Sequence, residues 1–281
     1  MNVPKGKLIP IGGNEAKEPL ETENAGSEQE IDFNEGVLKQ VIGEMRKKKP
    51  VIAVLPFASH YQEELAGVYE EAFGKIGHKT DPMVIHERDE VDDKKNLEKL
   101  INADGLFITG GDQSKLKNTL DGTRFLEIMH ERYQNEEFVI AGTSAGAMIM
   151  SEQMIDTGSS EESVMKGITK LTKGFGFLPK TIIDTHFFNR GRLARLTEAL
   201  MQKKSFMGIG ISEDTALVIT DGNEMRAIGS GTIIIIDDAD VINTNYHKVK
   251  EREPIYIEHL VVHMLSRGSA YLLKEKKFKV L

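Results

Sequence analysis

Three short apolar runs, Val51–Leu55, Gly105–Thr109 and Phe138–Ala141, limit what this chain can fold into more than any other feature of it. Each is too short for a buried helix and lacks polar alternation, the pattern of a strand covered on both faces. Around and between them, Gln62–Phe73, Lys94–Asn102 and Thr123–Tyr133 carry apolar residues at helical spacing. Strands alternating with helices of roughly ten residues build βαβ units, whose right-handed crossovers place helices on both faces of a sheet. The expected fold is α/β, a doubly wound, mostly parallel sheet.

The same reading extends to both ends of the chain. Lys7–Ile11 is a strand ending at Gly12-Gly13, Glu35–Lys48 a helix and Met83–His86 an extended segment. Asn14–Asn34 is polar and acidic, and is expected to be a long surface loop. Beyond the midpoint, Thr181–Ile183 predicts a strand and Arg192–Met201 a helix. Met207–Ile211, Ala216–Thr220, Met225–Ile228 and Thr232–Ile236 predict an antiparallel extension of the sheet, with a turn at "TDGN". Ile257–Leu265 is expected to close the chain as a helix. At 281 residues and 40% hydrophobic content, one domain is the expectation.

Composition excludes several functions. With 44 acidic against 36 basic residues the net charge is −8, and no arginine stripe marks a nucleic-acid footprint. The basic "KEKKFK" near the C-terminus reads as a solvated end. There is no cysteine, hence no disulfide, no thiolate metal site and no cysteine nucleophile. No metal or cofactor is expected. No apolar stretch approaches the roughly 18 residues of a membrane helix, and no signal-peptide pattern opens the chain, so a cytoplasmic location is expected.

The chemistry gathers at strand ends. In "GTSAGAMIM", Gly142–Met150, Ser144 follows an apolar strand and precedes a helix-compatible run. Flanking glycines permit the sharp turn of a nucleophile elbow, and a helix N-terminus would aim backbone N–H groups at the hydroxyl. A serine that merely caps a helix gives the same local pattern. As a nucleophile it needs a base, and His186 in "IIDTHFFNRGRLARL" ends a strand, where α/β proteins assemble their sites. Glu213 in "GIGISEDTAL" is the first choice to orient that imidazole, with Asp214 as the alternative. An ordinary α/β-hydrolase order would instead need His247 or His259 as base. For the oxyanion, "FITGGDQ" ends another strand in a glycine pair, and the Ala145 amide offers a second donor. Gly12-Gly13 shares that pattern with less claim.

Together, "GGDQ", "GTSAGA", "DTHFFNRGRLARL" and "GIGISEDTA" resemble the cyanophycinase branch of a serine peptidase family that also contains α-aspartyl dipeptidases. The resemblance spans Gly110–Ala216. It implies a fold like that of class I glutamine amidotransferases, a triad of Ser144, His186 and Glu213, and an oxyanion glycine at Gly111. It also implies cleavage of multi-L-arginyl-poly-L-aspartate to β-aspartyl-arginine, a homodimer, and substrate contacts from Gln113, Asp184, Thr185, Arg190, Arg192 and Arg195. In that picture the guanidinium groups fork onto substrate carboxylates and Asp184 faces the substrate's arginine. Arginines at a helix start oppose the helix dipole, which argues for some compensating partner. Thr185 stands where the family carries glutamine, removing an amide's paired donor and acceptor. Glu161–Gly167 is expected to form a lid or pocket wall. Two other readings are an isoaspartyl-peptide hydrolase of the dipeptidase type and a non-catalytic amidotransferase-like binding domain.

Overall fold

The structure is a computed structural model, in which residues 3–17, 36–57, 59, 61–160 and 163–281 are described. Most of the expected loop at Asn14–Asn34, and the first two residues of the expected lid, Glu161 and Glu162, lie outside that set.

The first half of the chain follows the alternation in the sequence. β1 (Lys7–Ile11), α1 (Val37–Gly43), β2 (Ile52–Leu55), α2 (Gln62–Lys75), β3 (Thr80–Pro82), α3 (Lys94–Asn102), β4 (Gly105–Ile108), α4 (Gln113–Leu120), α5 (Arg124–Asn135), β5 (Val139–Thr143) and α6 (Ala145–Met148) succeed one another. β1, β5, β4, β2 and β3 lie side by side and parallel. β2, β4 and β5 are buried throughout, as continuous apolar strands under two helical layers must be.

The second half comprises β6 (Ser151–Gly158), β7 (Thr169–Lys173), β8 (Leu178–Asp184), α7 (Leu193–Gln202), β9 (Met207–Ile211), β10 (Thr215–Thr220), β11 (Glu224–Gly229), β12 (Ile233–Asp237), β13 (Asn243–Thr244), β14 (Ile257–Glu258), β15 (Val261–Leu265), β16 (Ser269–Leu272) and β17 (Lys277–Val280). β10, β11, β16 and β17 extend the first sheet antiparallel, to nine strands among the described residues. The expected antiparallel extension is therefore present, but it does not take all four predicted strands. β9 and β12 join β15, β8, β6 and β7 in a separate six-stranded sheet. Its β6, β8 and β9 run parallel.

One element differs in kind from expectation. Ile257–Leu265, read as a helix, forms β14 and β15. β15 pairs antiparallel with the isoleucine run of β12, Ile233 opposite Leu265 and Ile235 opposite His263, and Val262 and Met264 face outward. A short apolar run carries no period that separates the two states, and β12 needs a partner for its backbone on that side. Among the described residues no helix is long and apolar enough to cross a membrane.

Both sheets deliver strand ends to one place. Ile11 at the end of β1 pairs with Thr143 of β5 on one side and Ala216 of β10 on the other. Asp184, ending β8, pairs with Gly210 of β9. The turn Ser212–Asp214 carries the chain from the six-stranded sheet into the nine-stranded one.

Candidate active site

Ser144 sits between β5 and α6 with φ 52° and ψ −111°, a backbone conformation that costs a non-glycine residue about 1–3 kcal/mol. The glycines around it explain how the turn closes. A Cβ on Gly146 would lie 2.4 Å from the Ile108 carbonyl oxygen, and one on Gly142 would lie 2.4 Å from that of Gly146. Neither position has room for a side chain, so α6 packs directly on the ends of β4 and β5. The Ser144 N–H donates to the Ile11 carbonyl at 3.0 Å. The Ala145 N–H, at the first position of α6, has no carbonyl one turn back to bond.

His186 and Glu213 meet this serine. His186 Nε2 lies 3.0 Å from Ser144 Oγ, and Nδ1 lies 2.6 Å from Glu213 Oε1. An ionised carboxylate only accepts, so Nδ1–H donates to Glu213 and Nε2 accepts from the serine hydroxyl. His186 is buried with φ 49°, and its N–H donates to the Gly12 carbonyl at 2.8 Å. Burial pushes its pKa below the ordinary histidine value; the hydrogen bond to Glu213 opposes this, and the charges of Arg190 and Arg192 add to it. Glu213 is held below the usual carboxylate range, first by the hydrogen bond from His186 and then by one from the Asn14 side chain. A neutral imidazole beside an ionised carboxylate is the state a general base requires.

Asp214, the alternative acid, turns elsewhere: its Oδ1 accepts from Ala16 N–H at 3.1 Å and its Oδ2 from Ser230 Oγ at 2.8 Å. His247 and His259 are exposed, with His247 edge-on to Tyr246. Gly110-Gly111 leans over the serine: a Cβ on Gly110 would lie 3.3 Å from Ser144 Cβ, and Gly111 has φ 145°. Gln113, next along, donates from Nε2 to the Asp156 carbonyl at 2.8 Å and so ties the start of α4 to β6.

The remaining predicted substrate residues divide by exposure. Arg190 is exposed and its N–H bonds the His186 carbonyl at 3.0 Å. Arg192 is half-buried and reaches Asp184 Oδ1 at 3.0 Å and the Thr185 carbonyl at 2.7 Å through Nη1. Arg195 is buried and grips Asp184 with Nε at 2.7 Å from Oδ2 and Nη2 at 2.5 Å from Oδ1. Asp184, expected to face a substrate's arginine, is instead 0% exposed with both oxygens engaged by the protein's own guanidinium groups. It is the compensating partner that cations at the start of α7 require. Thr185, expected to touch substrate, also has no exposed surface, and its hydroxyl finds no partner among the described residues.

The segment after β1 contributes more to the site than its sequence signal suggests. Gly13, at φ +98°, lies against the imidazole: a Cβ there would stand 2.3 Å from His186 Cε1. The Asp214 N–H donates to the Gly13 carbonyl at 2.9 Å. Residues Ile11–Gly13 thus bond by main chain to all three loops, and the only sequence signal was a glycine pair ending a strand.

Residues 24–227 match peptidase family S51. The chain is similar to the cyanophycinase of Synechococcus elongatus, 36% identical over 225 residues, or 80% of this chain and 70% of that protein. It is likewise similar to the cyanophycinase of Trichormus variabilis, 32% identical over 252 residues, 89% of this chain and 84% of that protein. Among solved structures, a peptidase from an acI-B1 Actinobacterium shares the fold, with TM-score 0.68 and 19% identity over 97% of this chain and 99% of that one. The matched stretch contains Ser144, His186 and Glu213 and begins after the Gly12–Lys17 segment. The chain belongs to peptidase family S51 and is a serine-type peptidase.

Proposed function

We propose that the protein is a cyanophycinase, an exopeptidase that releases β-aspartyl-arginine from multi-L-arginyl-poly-L-aspartate through an acyl-enzyme formed on Ser144. The observation that carries the chemistry is the chain of contacts Ser144 Oγ to His186 Nε2 at 3.0 Å and His186 Nδ1 to Glu213 at 2.6 Å. The substrate rests on two relatives that bear the name cyanophycinase.

In this reading Ser144 Oγ attacks the scissile carbonyl while His186 Nε2 takes its proton, and Glu213 stabilises the imidazolium. The Gly111 and Ala145 amides receive the oxyanion; the Ser144 amide is already spent on Ile11. His186 then protonates the leaving amine nitrogen as the C–N bond breaks. A water enters, gives its proton to Nε2 and its oxygen to the acyl carbon, and Ser144 leaves with the proton restored. Gln113 frames the oxyanion loop, and Arg190 and Arg192 meet substrate carboxylates. Asp184, itself gripped by Arg195, holds Arg192 from behind, and Thr185 lies in the same buried layer. The reading includes a cytoplasmic homodimer.

The test is mass spectrometry of the products from purified polymer, with Ser144→Ala as control. β-Aspartyl-arginine release falling by about 10⁴–10⁶-fold in Ser144→Ala is expected, and near wild-type release would refute the assignment. One observation favours a second reading: both oxygens of Asp184 are engaged by Arg192 and Arg195, so that carboxylate is not free for a substrate's arginine. Activity on smaller isoaspartyl peptides with none on the polymer would select the dipeptidase-type hydrolase.

A further inference from the structure

The segment after β1 contains a carboxylate that the proposed chemistry does not use. Glu15 is 2% exposed. Its Oε1 accepts from the Tyr69 hydroxyl at 2.5 Å and its Oε2 from the Thr143 hydroxyl at 2.6 Å. Lys17 Nζ stands 3.3 Å from Oε1 and also lies over the Tyr69 ring. Both oxygens of a buried anion are therefore satisfied, and burial together with the Glu15 charge holds the Tyr69 hydroxyl well above its ordinary pKa, protonated and donating.

The placement of these partners gives the cluster a meaning beyond stability. Thr143 is the residue before Ser144, so the bond from its side chain fixes the last strand residue of a strained turn. Tyr69 packs on Phe107 at 4.7 Å between ring centres, and Phe107 lies on β4 just before Gly110-Gly111. On its other side Glu15 continues the segment whose main chain holds His186, Asp214 and Ser144 through Gly12, Gly13 and Ile11. One carboxylate thus joins the elbow, the wall behind the imidazole and the strand leading to the oxyanion loop.

We infer that Glu15 is a positioning residue of this peptidase, which sets the distance between Ser144 and His186 by clamping Thr143 to the segment that carries Gly13. This rests on the proposed triad. A displacement of the order of 1 Å at reacting atoms costs about 10²-fold in rate, so a clamp at this place is felt in turnover more than in substrate affinity.

The experiment compares Glu15→Ala, Glu15→Gln, Thr143→Val and the double variant Glu15→Ala/Thr143→Val. Each is measured for kcat, KM and the rate of Ser144 labelling by a fluorophosphonate, beside a melting curve. Expected for Glu15→Ala is a fall of about 10²-fold in kcat and labelling rate with KM within about threefold. Glutamine keeps an acceptor for Thr143 and offers an N–H to the Tyr69 oxygen, so Glu15→Gln recovers most of the loss. Thr143→Val, which removes only the hydroxyl from a buried site, falls in the same direction, and the double variant is no slower than Glu15→Ala because the two act as one unit. Should Glu15→Ala not fold, Thr143→Val carries the test alone. Wild-type labelling in a folded Glu15→Ala or Thr143→Val, or losses that only track the folded fraction with no recovery in Glu15→Gln, would overturn the inference. Equal labelling of wild type and Ser144→Ala would overturn the triad, and the inference with it.

Discussion

Gly13 and His186 touch so closely that the imidazole occupies the space where a side chain on residue 13 would be: a Cβ would fall 2.3 Å from Cε1 and 2.5 Å from Nε2. The imidazole proposed as the base is seated against bare backbone. Gly13→Ala is therefore expected to displace the ring and lower kcat by about 10²-fold. Gly176→Ala is the control, since Gly176 also has positive φ, +71°, but nothing lies within 4 Å of its Cβ position. Both should lose about 1 kcal/mol from backbone strain in denaturant melts. Only the first should lose turnover.

The pH dependence has a definite sign. In the proposed chemistry His186 must be neutral to accept the serine proton, and its pKa is lowered by burial and by Arg190 and Arg192. Activity should thus hold below pH 6.5, the ordinary histidine value, and fall only as pH drops through the depressed one. In Arg190→Ala one of the charges opposing the imidazolium is gone, so the acid limb of kcat/KM should move to higher pH. A limb that stays in place would detach Arg190 from the base.

Arg190 should separate in kinetics from Arg195. Arg190 is exposed, so Arg190→Ala should raise KM about tenfold for a substrate bearing carboxylates and leave the melting temperature nearly unchanged. Arg195 is buried on Asp184, so Arg195→Ala should lower stability by about 3–5 kcal/mol, because it breaks a buried ion pair and leaves Asp184 Oδ2 without its donor. Calorimetry and a substrate titration on the two variants distinguish these outcomes.

Asp184→Ala should be as damaging as Arg195→Ala, by about 3–5 kcal/mol, for the converse reason: Arg192 and Arg195 lose their shared anion at the start of α7. Asp184→Ala combined with Arg195→Met should recover part of that loss, since only one cation then remains unpaired. Chemical denaturation of the single and double variants measures the recovery.

How much of this could be read from residue order depends on the range of the interaction. The strands of the parallel core were legible because burial on both faces writes an unbroken apolar run, as at Ile52–Leu55 and Gly105–Ile108. Ser144, His186 and Glu213 were legible as strand-end residues. The partition into two sheets was not, since nothing local to Met207–Ile211 and Thr215–Thr220 states that consecutive strands belong to different sheets. The pairing of Asp184 with Arg195 was not legible, because it depends on how α7 lies against β8, and the polar pattern is the same for an anion facing substrate. Glu15 was hidden for a similar reason: its partners Tyr69 and Thr143 are distant in the chain, and its neighbours look like the start of a polar loop.

Ser144 is carried by the nine-stranded sheet, whereas His186 emerges from the six-stranded one, and a 3.0 Å contact spans the seam between them. That contact belongs to neither ladder of strand hydrogen bonds, although the two sheets share a core. In the proposed chemistry, catalytic competence thus depends on how the two sheets are docked. On refolding it should return later than the circular dichroism of the strands. On heating it should fall while much of that signal persists, since a slip of the seam by about 1 Å costs about 10²-fold in rate before any strand has parted from its neighbour.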